Sequence, residues 1–232
     1  MKPSYQHALI VGAGAGLSAS LARVFTDKDL RVSLAARTPS DLDSLCNETG
    51  AQAYACDASS RDDVAALFGS LESHGGLPDV VVYNPSARVR GPFVEVDAEQ
   101  VEKALMVTAY GAFLVAQAAA RTMLPKNHGA ILFTGASAGV KGYPQSASFA
   151  MGKFALRGLA QSMARELHPQ GIHIGHFVID GGIRNPGRTE APDRPDSMLD
   201  PDSIAQSYWD LLNQDRSSWA WEVELRPWVE TF

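Results

Sequence analysis

The chain predicts an α/β fold, a doubly wound parallel sheet of about seven strands flanked by helices as a three-layer sandwich. Three observations carry this. Short β-rich apolar runs alternate with longer helix-patterned segments along the whole length. A cluster of glycines, Gly12, Gly14 and Gly16, stands where the first apolar run turns into the first helical pattern. The 232 residues, 45% hydrophobic, suffice for one sizeable core, and no repeat, low-complexity tract or interior linker divides them. Residues 1–232 therefore read as a single domain.

The elements follow in order. The run His7–Val11 predicts the first strand, and Gly16–Thr26 the helix after the glycine turn. A strand over Arg31–Ala35 leads into a helix over Pro39–Glu48, and a strand over Gln52–Ala55 into a helix over Arg61–Glu72. Asp79–Tyr83, with its Val80-Val81-Val82 centre, predicts a buried strand. Glu99–Leu124 predicts one long helix, Ala130–Gly135 a strand and Ser146–Leu167 an amphipathic helix. His173–Val178, Asp202–Asn213 and Trp219–Leu225 complete the alternation as strand, helix and strand. The segment Arg184–Ser203 stands apart, with Pro186, Pro192, Pro195 and Pro201 among charged residues. A long polar loop after a strand end is either a lid over a site or disordered surface.

Composition excludes several classes. A formal net charge of −6 argues against nucleic acid or an anionic membrane as partner. Cys46 and Cys56 have no metal-ligand spacing and read as buried free thiols. Met1-Lys2-Pro3-Ser4-Tyr5-Gln6-His7 runs straight into a strand and shows no signal peptide, so a cytoplasmic protein is expected. The apolar run Ala104–Ala120 is alanine-rich, interrupted by Thr108, Tyr110, Gly111 and Gln117. It falls short of the ~20 residues of a spanning helix. A helix apolar almost all round fits between the sheet and a second subunit.

The glycine turn reads as a nucleotide site, because glycine lets backbone N–H groups at a helix N-terminus approach a pyrophosphate. Tight strand-to-helix turns also use glycine for steric reasons alone. At the end of the second strand, position 36 is Ala and Arg37 follows. An acid there would bind a ribose 2′-hydroxyl, whereas an arginine accommodates a 2′-phosphate, so NADP(H) is favoured over NAD(H). Arg37 also reads as a solvated strand-end residue. Asp57 in Cys56-Asp57-Ala58 is placed to accept from an adenine amino group or to cap the next helix. Asn84 in Tyr83-Asn84-Pro85-Ser86 either flanks the cofactor ribose or is a turn asparagine.

In this order, the motifs resemble those of the short-chain dehydrogenase/reductase family over nearly the full length. Val11-Gly12-Ala13-Gly14-Ala15-Gly16-Leu17-Ser18 is similar to the family's Thr-Gly-x-x-x-Gly-x-Gly, with Gly12 and Gly16 matching. A basic residue common before the second matched glycine in NADP-dependent members is Ala15 here. Asp57 and Asn84 match the family's aspartate and asparagine at the third and fourth strand ends. The resemblance implies a Rossmann-type fold and a cofactor set that includes Gly12, Gly14, Gly16, Leu17 and Arg37. It also includes Asp57, Ala58, Asn84, Ser86, Lys153, Gly181 and Ile183.

The catalytic positions depart from the pattern. Where the family has Tyr-x-x-x-Lys, this chain has Phe149-Ala150-Met151-Gly152-Lys153. The family's helix asparagine falls at Thr108, its serine at Ala136 with Ser137 one place later, and its Pro-Gly pair at Asp180-Gly181. In the family the lysine holds the nicotinamide ribose and lowers the tyrosine pKa; with Phe149, Lys153 keeps only the first duty. Losing a positioned proton donor costs roughly 10²–10⁴-fold. Replacement hydroxyls are sought at Ser137, Thr134, Tyr143, Ser146 and Ser148, and the catalytic set is taken as Lys153, Ser137 and Tyr143. Two readings result. One is an atypical NADP(H)-dependent oxidoreductase acting on a small carbonyl or alcohol substrate. The other is a catalytically impaired relative that binds NADP(H) as sensor or scaffold. In the family, helices matching Ala104–Arg121 and Ser146–Leu167 pair across an interface, which implies a homodimer or homotetramer. The six histidines form no metal constellation.

Overall fold

A computed structural model describes residues 4–230; Met1, Lys2 and Pro3, the start of the segment that shows no signal peptide, lie outside the described residues. The chain opens with β1 (His7–Val11), α1 (Leu17–Asp27), β2 (Arg31–Ala36), α2 (Asp43–Thr49), β3 (Gln52–Ala55) and α3 (Arg61–Ser73). It continues through β4 (Val80–Tyr83), α4 (Ala98–Leu105), α5 (Gly111–Met123), β5 (Gly129–Thr134), α6 (Ala147–Leu167) and β6 (Ile172–Ile179). A short ribbon of β7 (Gly182–Ile183) and β8 (Met198–Leu199) precedes α7 (Pro201–Leu212) and β9 (Glu222–Leu225).

Seven of these strands make one sheet in the order β3-β2-β1-β4-β5-β6-β9, every pair parallel. Parallel strands need crossovers, and the helices that supply them cover both faces. Ala8 and Ile10 point to the layer of α1, α2 and α7, while Leu9 and Val11 point to that of α3, α5 and α6. Each strand of the sheet centre is therefore buried on two sides, which is why Val80-Val81-Val82 shows no polar alternation. The order reverses between β1 and β4, and a crevice opens there at the carboxyl ends of the strands. Val11 pairs with both Ala35 and Tyr83, so three strand ends stand level beside it.

Four expectations change. The helix expected over Glu99–Leu124 is α4 and α5 joined by a π-helical turn, Met106–Tyr110. Its wider coil lets the Val107 carbonyl accept from the Tyr83 hydroxyl, and turns Thr108 Oγ1 to accept from Ala87 N at 3.1 Å. The segment Pro39–Glu48 begins as a 3₁₀ turn, Pro39–Leu42, before α2. The last strand is shorter than Trp219–Leu225, because Ala220 N donates to Gln214 Oε1 at 2.8 Å and Ala220 O accepts from His173 Nε2 at 2.9 Å instead of extending the ladder. Finally, the segment Arg184–Ser203 is folded rather than disordered surface. The β7–β8 ribbon, an Arg184–Asp200 ion pair and Glu190, whose carboxylate accepts from Asp196 N and Met198 N, hold it.

Ala98–Lys126 taken together is long and apolar enough to cross a membrane, but half of its apolar window is buried within the fold. Ala112, Val115, Ala116 and Ala119 face the sheet. Both cysteines are free; Cys56 is buried, with its thiol pushed up to about 12 by that burial, whereas Cys46 is only half-buried.

Candidate active site

The glycine turn follows from backbone geometry. Gly12 has φ of 77°, and a Cβ there would lie 2.7 Å from Pro85, so glycine alone fits. Gly12 N and Ala13 N donate to Ala35 O at 2.9 and 3.0 Å. Ser18 locks the turn: its hydroxyl donates to Gly12 O at 3.1 Å and accepts from Asn84 Nδ2 at 2.8 Å. Asn84 thus ties the end of β4 to the first helix. A Cβ at Gly14 would meet nothing within 4 Å, and no side chain caps α1 at Gly16. An open glycine surface before an uncapped helix N-terminus fits a pyrophosphate.

Arg37 is exposed just past β2. Asp57 does not cap α3; Ser60 does, accepting from Asp63 N, and the Asp57 carboxylate instead accepts from Ser59 N and Oγ at 2.9 and 2.6 Å. Ala58 is buried beside it. These residues, with Gly12 and Gly14, lie along the ends of β1–β3, outside the wall of the main cavity.

That cavity, about 890 Å³, opens at the carboxyl ends of β4–β6. It brings together Gly16, Leu17, Asn84, Ser86, Ser137, Tyr143, Lys153, Gly181 and Ile183 from the sequence-derived set. Lys153 is 2% exposed and donates to Thr134 O at 2.7 Å. Burial, helped by the charge of Arg88, pulls its amine down to about 7. Phe149 is 8% exposed, with its ring centroid 5.8 Å from Lys153 Nζ. Tyr143 reaches in from the loop before α6, and its hydroxyl donates to Ser137 Oγ at 2.9 Å. Lys141 Nζ lies 5.6 Å from the Tyr143 ring and 3.5 Å from Asp180.

Two of the other candidate hydroxyls are engaged. Thr134 Oγ1 is bonded to the Tyr208 hydroxyl at 2.9 Å on the far side of β5. Ser148 Oγ donates to Val89 O and accepts from Val89 N, which pins the loop after β4 to α6. Ser146 lines the cavity wall but is buried. The sequence reading missed Arg88, Arg90, Arg184 and Arg188, all of which line the cavity. Their one local signal is the Arg88-Val89-Arg90 repeat just after the fourth strand. His7, the first residue of β1, is buried and bonded to Ser33 at 2.8 Å. His173 and His176 are fully buried, and among the described residues no group of three metal-ligating side chains exists.

A nicotinamide dinucleotide fits these residues, since the open glycine surface leads along the strand ends to the cavity holding Lys153. Known proteins agree. The family model for short chain dehydrogenase matches residues 6–192. Short chain aldehyde dehydrogenase 1 of Euphorbia lathyris is 29% identical over 211 residues, 88% of this chain and 72% of that protein. The chain spans between about half and two thirds of the length of other curated relatives it matches. A short-chain dehydrogenase structure from Rhodopseudomonas palustris is 32% identical, covering 96% of this chain and 99% of that one at a TM-score of 0.81. A metagenomic short-chain oxidoreductase in complex with NADP is 27% identical, covering 96% and 97%, at a TM-score of 0.83. Sheet order, glycine turn and buried lysine belong together with these matches: the chain is a member of the short chain dehydrogenase family of NAD(P)-dependent oxidoreductases.

Proposed function

We propose that this protein is an NADP(H)-dependent oxidoreductase that interconverts a small carbonyl and its alcohol, with Tyr143 in place of the missing phenol at Phe149. The carrying observation is the Tyr143–Ser137 hydrogen bond, 2.9 Å long, in the cavity that also holds Lys153. Bound NADP(H) supplies or accepts the hydride. The protein supplies position and the proton. Ser137 Oγ, held by Tyr143, orients the carbonyl oxygen. As negative charge develops, the Tyr143 hydroxyl turns its proton from Ser137 Oγ to that oxygen and delivers it there, and Lys141, backed by Asp180, offers a nearby positive charge to the phenolate left behind. Lys153 anchors the ribose from inside the fold. Exposed Arg37 and the absence of an acid at position 36 support selection of the 2′-phosphate.

One observation favours the second reading, a nucleotide-binding relative with impaired chemistry. The Arg88 guanidinium lies 3.8 Å over the Phe149 ring, and its charge acts on Lys153. The test is NADPH oxidation against a carbonyl panel. Under the enzyme reading, Tyr143→Phe lowers kcat by roughly 10²–10⁴-fold with little change in NADPH affinity. NADPH binding without turnover on any carbonyl supports the impaired relative. Failure to bind either nicotinamide cofactor refutes both.

A further inference from the structure

Arg88 and Arg90, on the loop after β4, and Arg188, on the turn after β7, converge on the mouth of the cavity that holds Phe149, Ser137 and Tyr143. Four arginines pair with acids: Arg23 with Glu48, Arg157 with Glu222, Arg184 with Asp200, Arg226 with Glu224 and Asp180. Among the described residues, Arg88, Arg90 and Arg188 make no such ion pair. Two acids line the cavity; Asp180 is already shared by Lys141 and Arg226, and Glu230 stands at the rim. Burial and the charges of Arg90 and Arg188 hold the Arg88 guanidinium below its usual value, so the three groups repel one another. A mutually repelling basic cluster in a chain of net charge −6 lacks a counter-ion that a ligand can provide.

Arg88 is also held in shape for that ligand. Its Cζ lies 3.8 Å from the Phe149 ring centroid, a stacked cation–π contact. A stacked guanidinium keeps its rim of N–H donors free for a bidentate oxyanion. A phenol is not needed for this duty, and the bare ring of Phe149 serves it.

We propose that the substrate is anionic: a carboxylate or phosphate oxyanion on the reacting molecule is gripped by Arg88, with Arg90 and Arg188 alongside, and directs its carbonyl toward Ser137 and Tyr143. The substrate role rests on the oxidoreductase reading above, whereas the anion site is measurable by binding alone. Protein saturated with NADP is titrated calorimetrically with benzoate, phenyl phosphate and neutral benzamide, for the natural protein and for Arg88→Gln, Arg88→Lys and Arg188→Gln. The charged probes are expected to bind at least about tenfold tighter than benzamide, and Arg88→Gln to remove that advantage while NADP affinity stays unchanged. Arg88→Lys, which keeps charge but not the fork, falls between. Benzoate against phenyl phosphate identifies which oxyanion the site prefers. Equal binding of charged and neutral probes, or loss of NADP affinity in Arg88→Gln, overturns the proposal. A parallel assay of an oxo acid against its methyl ester separates the two readings. If the ester is reduced as well as the acid and Arg88→Gln changes neither, the anion proposal fails and the reductase stands. If nothing is reduced but the charged probes bind through Arg88, the reductase fails and the anion site stands.

Discussion

Lys153 is a charged-type side chain with no carboxylate partner among the described residues, bonded to one backbone carbonyl and 2% exposed. Its amine is drawn down to about 7, below the ordinary lysine range. The folded pKa thus lies below the unfolded one, so protonation penalises the native state fully below pH 7, and the penalty fades as pH rises toward the lysine range. Lys153→Met, close in volume, is expected to raise the melting temperature most at pH 6 and least at pH 10, while weakening NADPH binding at least about tenfold through the lost ribose contact. Thermal scans at both pH values and a fluorescence titration check the two halves separately. At this scale the contiguous run from Phe149 to Lys153 was legible as one segment, and both side chains line the cavity. Arg88 escaped notice because its stacking partner lies on another element, and spacing along the chain carries no trace of a ring face. Ser18 and Asn84 were visible as positions, but the hydrogen bond joining them exists only once β4 lies beside β1.

Among the elements, the π turn between α4 and α5 governs how α6 approaches. Thr108, buried on that turn, faces Gly152 on α6: a Cβ at Gly152 would stand 3.0 Å from Thr108 Cβ and Cγ2. Gly152→Ala therefore forces the turn or α6 to shift, one residue from Lys153. The expected cost is about 1–3 kcal/mol, read as a lower denaturant midpoint with unchanged slope. Thr108→Ala together with Gly152→Ala should recover part of the loss, because the clash is with the threonine side chain itself. A second element-level prediction concerns β9. Arg157 on α6 holds Glu222 through two bonds of 2.6 and 2.8 Å, and His176 adds a third contact at 3.0 Å. Arg157→Ala is expected to raise amide exchange in β9 more than in β1. The strands and most helices were legible because burial on both faces leaves a direct trace in composition. The π turn was not: one extra residue per coil hardly alters an apolar pattern. The β7–β8 ribbon was hidden for another reason, being two residues long on each side and set in proline-rich chain.

At the level of the whole molecule, two buried histidines set the acid limit. His173, stacked on Trp219, and His176, bonded to Glu222, are both drawn down to about 4, chiefly by burial. Glu222 counters this at His176, while His168 adds to it at His173. With folded values below the unfolded ones, stability is full above pH 6.5 and falls as pH drops from there toward 4. Each histidine contributes on the order of 3 kcal/mol to that fall. His173→Phe is expected to flatten the decline in melting temperature over this window; an unchanged decline would remove His173 from the account. Assembly is a second molecular question. Phe113 on α5 and Met151 and Phe154 on α6 are 41%, 52% and 47% exposed, an apolar strip on the two helices expected to pair between subunits. The prediction is a homodimer or homotetramer by light scattering, converted to monomer by Phe154→Asp. The fold was legible at this scale from alternation alone, whereas the basic character of the cavity was masked by the acidic total charge.

The all-parallel order has a consequence for synthesis on the ribosome. The inner strands β2, β1, β4, β5 and β6 are all made before β9, and the outer edge of β6 has no other partner in the sheet. Until β9 emerges, that edge presents its unpaired N–H and C=O groups beside His173 and His176, whose stacking partners Trp219 and Trp221 arrive in the same late segment. A nascent chain stalled near residue 215 therefore offers a sticky seam to other chains, and the Glu222 clamp is the latch that closes it.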